Sequence, residues 1–98
     1  MLYVVLFEDE TTLGPDLRSR HMPAHLSFLK ARAAWIKAAG PLQTAAGEPA
    51  GGLWLVEAED QTRVDDLVKE DPFWPTGLRR SVRILHWLQV FTRGQCLT

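Results

Sequence analysis

The sequence predicts an α+β domain in which two helices cover one face of a four-stranded antiparallel sheet, the elements following one another as βαββαβ. Three observations carry that prediction. Apolar runs at residues 2–7, 53–56 and 81–91 have the length and composition of strands. Residues 23–39 and 62–71 repeat apolar side chains at helical spacing. Glycine and proline punctuate the joins between these segments. With 98 residues, 46% apolar and 23% charged, the chain has the size and balance of one soluble domain with a single core.

The first strand, LYVVLF at residues 2–7, is apolar on both faces, so both sides of its sheet require cover. Residues 9–16 mix Thr, Gly and Pro with charges, as a connection does. Pro23 fits the first turn of the main helix, where its missing N–H is harmless, and Gly40–Pro41 stop that helix after about Ala39. Its packing stripe is Leu26, Leu29, Ala33 and Ile36, with Phe28 and Trp35 on an adjacent strip. Residues 42–46 and 53–56 form a hairpin about the Gly/Pro-rich turn 47–52. Asp60 or Thr62 caps a second helix that packs through Val64, Leu67 and Val68 and ends at Asp71–Pro72. Residues 81–91 alternate Val82, Ile84, His86, Leu88 and Val90 against Arg83, Leu85, Trp87, Gln89 and Phe91, and form the last strand. With right-handed crossovers this order gives the split βαβ, or ferredoxin-like, arrangement over residues 1–92, followed by a tail at 93–98. Because the helices cover one face only, the apolar second face predicts a second copy of the chain as partner, and so a homodimer.

Eleven basic residues against twelve acidic ones give no positive field for a nucleic acid, and Arg79, Arg80 and Arg83 read as a solvated face. The apolar run at 2–7 is too short to span a membrane and lacks the pattern of a signal peptide, which predicts a cytoplasmic protein without membrane association. Cys96, the single cysteine, excludes an intrachain disulfide and lies in the tail. His21 and His25 have the i, i+4 spacing of two metal ligands, but Pro23 puts His21 ahead of the helix and no third ligand is visible. His86 reads as a packed or rim residue. No phosphate loop, dinucleotide fingerprint, nucleophile elbow or zinc motif is present, so neither metal nor organic cofactor is expected.

The segments LYVVLFED, PAHLSFL, AGPL, GGLWLVEAED and DPF, with GL at residues 77–78, occur in an order that resembles the YciI-like family. The resemblance spans nearly the whole domain. It implies a ferredoxin-like subunit, two of which pack sheet to sheet into a dimeric α+β barrel, with a pocket between helix and sheet. It also implies a catalytic pair at His25 and Asp71. Related barrels include cofactor-independent monooxygenases and muconolactone-isomerase-like enzymes, which implies a small, cyclic or aromatic substrate. Two departures stand out. Family members often carry an arginine just before the helix proline, where this chain has Met22, leaving Arg18 and Arg20 as the nearby cations. Trp74–Pro75 after the DPF segment stands where the commoner residues are small or charged, which implies a reshaped pocket rim.

Taken alone, His25 reads first as a core-edge histidine and Asp71 as the opening of an Asp-Pro turn; the resemblance is what turns both toward a site. Together they can transfer a proton, the carboxylate orienting the ring. The sequence therefore predicts a cofactor-independent enzyme with lyase- or isomerase-like proton transfer on a small molecule, in which His25 and Asp71 meet at the rim of one pocket. Arg18, Arg20, Phe28, Trp54, Phe73 and Trp74 are its candidate lining residues, and Trp87 is a further aromatic that can reach it. The alternative is a non-catalytic domain that uses the same cleft to bind a metabolite or partner.

Overall fold

The computed structural model describes residues 1–13 and 15–98. The elements are β1 (Leu2–Asp9), α1 (Pro15–Ala31), β2 (Ile36–Gln43), β3 (Pro49–Glu57), α2 (Gln61–Glu70), a 3-10 turn (Trp74–Thr76), β4 (Arg79–His86) and a small hairpin of β5 (Phe91–Thr92) and β6 (Gln95–Cys96). The main sheet has the strand order β2-β3-β1-β4 with every pairing antiparallel, which is the ferredoxin-like arrangement.

Alternation along the two central strands creates the layers. Tyr3, Val5 and Phe7 of β1 and Trp54 and Val56 of β3 are buried together with Phe28 of α1 and Val64, Leu67 and Val68 of α2, so both helices lie on one face. Val4, Leu6, Leu53 and Leu55 alternate onto the other face and are only partly buried. α2 matches its prediction closely. Asp60 is the N-cap and accepts from the Arg63 N–H at 3.0 Å, and Asp71 is the C-cap.

α1 lies eight residues earlier than the sequence predicts. It opens at Pro15, a first-turn proline like the one expected at Pro23, so Pro23 sits in the helix interior. The Ala-rich segment after residue 31 has high helix propensity, yet residues 36–43 form an edge strand. Local propensity is a weak preference, and here strand pairing overrides it: Ile36, opposite Val56, is 7% exposed. Pro41 is tolerated because β2 is an edge strand. The predicted helical stripe is corrected accordingly. Among the described side chains of α1, His25 and Phe28 are the buried ones, while Leu26 is 49% exposed.

The hairpin of β2 and β3 turns earlier than predicted, at residues 44–48, where the Gly47 N–H donates to the Thr44 carbonyl at 2.9 Å. Gly51 and Gly52 therefore belong to β3. β4 ends at His86 rather than at residue 91, and Leu88, Val90 and Phe91 beyond it are exposed. Apolar alternation continued past the point where β1 offers a partner, and a strand needs a partner for its backbone groups.

Candidate active site

His25 stands in the third turn of α1 and Asp71 at the end of α2, 46 positions apart, yet His25 Nδ1 lies 2.8 Å from Asp71 Oδ1. Their side chains are 10% and 1% exposed. Local chemistry fixes Asp71. Pro72 ends α2, and the Asp71 side chain then accepts from the Phe73 N–H at 3.2 Å while its carbonyl accepts from the Trp74 N–H at 2.8 Å. The Asp-Pro turn and the histidine contact are thus one structure. A carboxylate only accepts, so with Asp71 ionised it is Nδ1 of His25 that carries the proton, and in the neutral ring Nε2 is then the atom with the lone pair.

Arg79 extends this pair into a chain of charges. Its Nη2 is 3.5 Å from Asp71 Oδ2 and its Nη1 is 3.0 Å from Asp9 Oδ1; Asp9 also pairs with Arg18. The Arg79 side chain is 6% exposed, and its guanidinium lies 4.2 Å from the Phe7 ring centre and 5.3 Å from that of Phe73. A bulge puts it there. The β1–β4 register runs Phe7 with Val82 and Glu8 with Ser81, then shifts so that Asp9 meets Arg79 instead of Arg80. Arg79 is thereby turned to the helical side. Arg80, the extra residue, pairs with Glu8 at 2.6 Å and, with Ser81, holds the Glu8 carboxyl below its ordinary pKa. The expectation that Arg79 is a solvated residue is corrected, whereas Arg80 is 57% exposed.

A cavity of about 120 Å³ opens between α1, the edge strand β2 and this charge chain. Arg18, Met22, His25, Trp54, Phe73 and Arg79 line it, closed by Leu26 and Leu29 of α1 and by Ala39, Gly40, Pro41 and Gly52 of the β2–β3 edge. Of the residues named from the sequence, Arg18, Trp54 and Phe73 are on this wall. Arg20 and Phe28 are not: Arg20 is exposed, and Phe28 is buried behind Trp54, with ring centres 6.0 Å apart. Trp74 is 38% exposed on the 3-10 turn, away from the wall, and Trp87 lines a groove on the opposite sheet face instead. Met22 and Arg18 are one helical turn apart, so Arg18 carries positive charge to the wall that Met22 helps form.

Three corrections concern the histidines and the missed residues. His25 is not in the first helical turn, because α1 begins ten residues before it. His21 lies inside α1 rather than ahead of it, with its ring centre 6.2 Å from that of Phe73. Among the described residues no group of three or more His, Cys, Asp or Glu is arranged to hold a metal. His86 packs its ring 5.3 Å from that of Tyr3 at the end of β4. The sequence does not mark Arg79, Asp9, Gly52 or β2 as components of the site. Arg79 follows directly on the Gly77–Leu78 pair, which was the one available signal.

Comparison with known proteins supplies three findings. The YCII-related domain family matches residues 1–88. No curated protein matches the sequence. Among solved structures, the chain is similar to 5-chloro-2-hydroxyhydroquinone dehydrochlorinase (TftG) from Burkholderia phenoliruptrix AC1100, solved in complex with 2,5-dihydroxybenzoquinone: 27% identity, TM-score 0.73, covering 90% of this chain and 94% of that one. It is also similar to Rv0793 from Mycobacterium tuberculosis, at 14% identity and TM-score 0.47, with the same coverage of 90% and 94%. Since the family match takes in the whole four-stranded sheet together with His25, Asp71 and Arg79, the chain belongs to the YCII-related domain family.

Proposed function

We propose that this protein is a cofactor-independent enzyme in which His25 moves a proton to or from a small ring compound and Asp71 orients the imidazole. The observation that carries this reading is the 2.8 Å contact between His25 Nδ1 and a buried, doubly supported Asp71 carboxylate at the wall of a small cavity. A carboxylate at Nδ1 selects the tautomer with a basic Nε2 and stabilises the imidazolium formed when that atom takes a proton. The apolar wall of Met22, Leu26, Leu29, Trp54 and Phe73 suits one planar ring. The dehydrochlorinase similar to this chain was solved with a dihydroxylated quinone, and its reaction is lyase-like, which supports elimination or isomerisation of an oxygenated ring here.

The working unit in this reading is a homodimer. Val4, Leu53, Leu55, Leu85, His86 and Trp87 line a groove of about 450 Å³ on the sheet face away from the helices. An apolar surface of that kind on a small domain is best covered by a second copy packed sheet to sheet.

The test is a thermal-shift screen of small phenols, lactones and keto acids, followed by solvent-deuterium exchange into each compound that stabilises the fold. Exchange catalysed by the wild type and lost in His25→Ala is the expected result. Equal exchange in both proteins would leave a binding domain instead.

A further inference from the structure

Among the described residues three titratable side chains line the cavity, and they differ in how open they are. His25 and Arg79 are 10% and 6% exposed, whereas Arg18 is 36% exposed. Arg18 is also held in place. Its Nη2 meets Asp9 Oδ2, and the other oxygen of that carboxylate meets Arg79 Nη1 at 3.0 Å. Arg79 Nη1 stands in turn 3.5 Å from where a Cβ on Gly52 would lie, and Gly52 is on the cavity wall. Asp9 thus ties the Arg18 guanidinium to the end of the cavity formed by Gly52 and Arg79. Asp9 is the one hydrogen-bond partner of Arg18 among the described residues, which leaves its Nε–H and Nη1 hydrogens for a ligand.

Spacing and charge narrow what that ligand is. Arg18 and His25 are seven residues apart on one stripe of α1, with Met22 between them on the same wall. Seven residues set the two side chains about 10 Å apart along the axis, and a hydrogen bond of about 3 Å at each end leaves room for about one six-membered ring. Arg18 and Arg79 are matched by Asp9 and Asp71 in one chain of contacts, so a phosphate or carboxylate meets no uncompensated cation. A hydroxyl or oxo oxygen needs only the donors.

We propose that Arg18 is the specificity-determining residue of the pocket, donating to a hydroxyl or oxo oxygen that lies para to the ring position held against His25. The inference rests on the proton-transfer reading for which end of the ligand faces the imidazole. The para relation also suits that reaction. When a ring carbon para to a carbonyl loses its proton, the C–H bond breaks, the proton goes to His25 Nε2, and the electron pair passes through the ring to the carbonyl oxygen. Positive charge on the imidazole and equal negative charge on the oxygen appear together, so no co-reactant is needed. The oxygen becomes anionic beside the guanidinium, and its hydrogen bond strengthens at that moment.

The probes are p-cresol and its apolar isostere p-xylene, titrated into the full chain by calorimetry. The wild type should bind p-cresol more tightly. Arg18→Met leaves Asp9 paired with Arg79, and should weaken p-cresol about ten-fold while leaving p-xylene unchanged. Arg18→Lys should restore part of the difference, and His25→Ala should keep the preference for p-cresol. A preference intact in Arg18→Met, or lost in His25→Ala instead, overturns the assignment, as does equal weakening of both probes, which a merely structural role would produce. The wild type supplies a second test that needs no variant. Nuclear Overhauser contacts should join the p-cresol methyl group to the His25 ring, and the reverse pose, with the methyl group at Arg18, overturns the assignment. Neither readout needs turnover, so this pattern without solvent-deuterium exchange would uphold recognition by Arg18 while sinking the catalytic reading.

Discussion

Asp71 shows how one residue can be ambiguous in sequence and over-determined in structure. Its carboxylate meets His25 Nδ1, the Phe73 N–H and Arg79 Nη2, all while buried. Removing one partner of a buried charge pair leaves the other uncompensated, so Asp71→Ala should lower stability by about 3 kcal/mol in urea unfolding, through the loss felt by Arg79. An effect under about 1 kcal/mol would mean that Arg79 does not depend on this carboxylate. His25 and Asp71 were legible because both fall on segments that resemble a known family. Arg79 was not, because strand alternation assigns faces by parity and a bulge reverses parity without leaving a mark in the residue types.

Among the elements, β1 and α2 followed the sequence closely and α1 did not. Two prolines compete for the helix start, and both satisfy the first-turn rule, so only tertiary packing separates Pro15 from Pro23. β2 was hidden for a related reason: alanines and an interior Gly40–Pro41 resemble a helix and its stop, yet an edge strand accepts both. The glycines of the hairpin give a sharp test of this reassignment. Gly51 has φ +88° and an added Cβ would stand 2.0 Å from the Phe7 carbonyl oxygen, whereas Gly47 has φ +84° with nothing within 4 Å. Gly51→Ala should therefore cost about 3 kcal/mol or more and Gly47→Ala about 1 kcal/mol, measured by chemical denaturation. Equal losses would place Gly51 in an open turn, where the sequence alone had put it.

For the whole molecule, the sheet with two unlike faces is the organising fact. One face carries the core and the site, and the other exposes Leu85 and Trp87 at 41% each. Apolar residues on both faces of the first strand made this readable from the start. Leu55→Asp on the open face should convert a dimer to a monomer in light scattering on a size-exclusion peak, with the subunit still folded; a wild-type monomer at micromolar concentration would remove the sheet-to-sheet assembly. The site itself lies on the helical face, and its central claim is proton transfer by His25 under the control of Asp71. The most direct measurement is solvent-deuterium exchange at the ring C–H positions of 2,5-dihydroxybenzoquinone, followed by proton NMR with wild type, His25→Ala and Asp71→Asn. Wild type should accelerate exchange over buffer, His25→Ala should lose about 10²-fold or more of that acceleration, and Asp71→Asn should lose much of it with binding retained. Exchange in His25→Ala as fast as in wild type, with the compound bound by both, would contradict the claim.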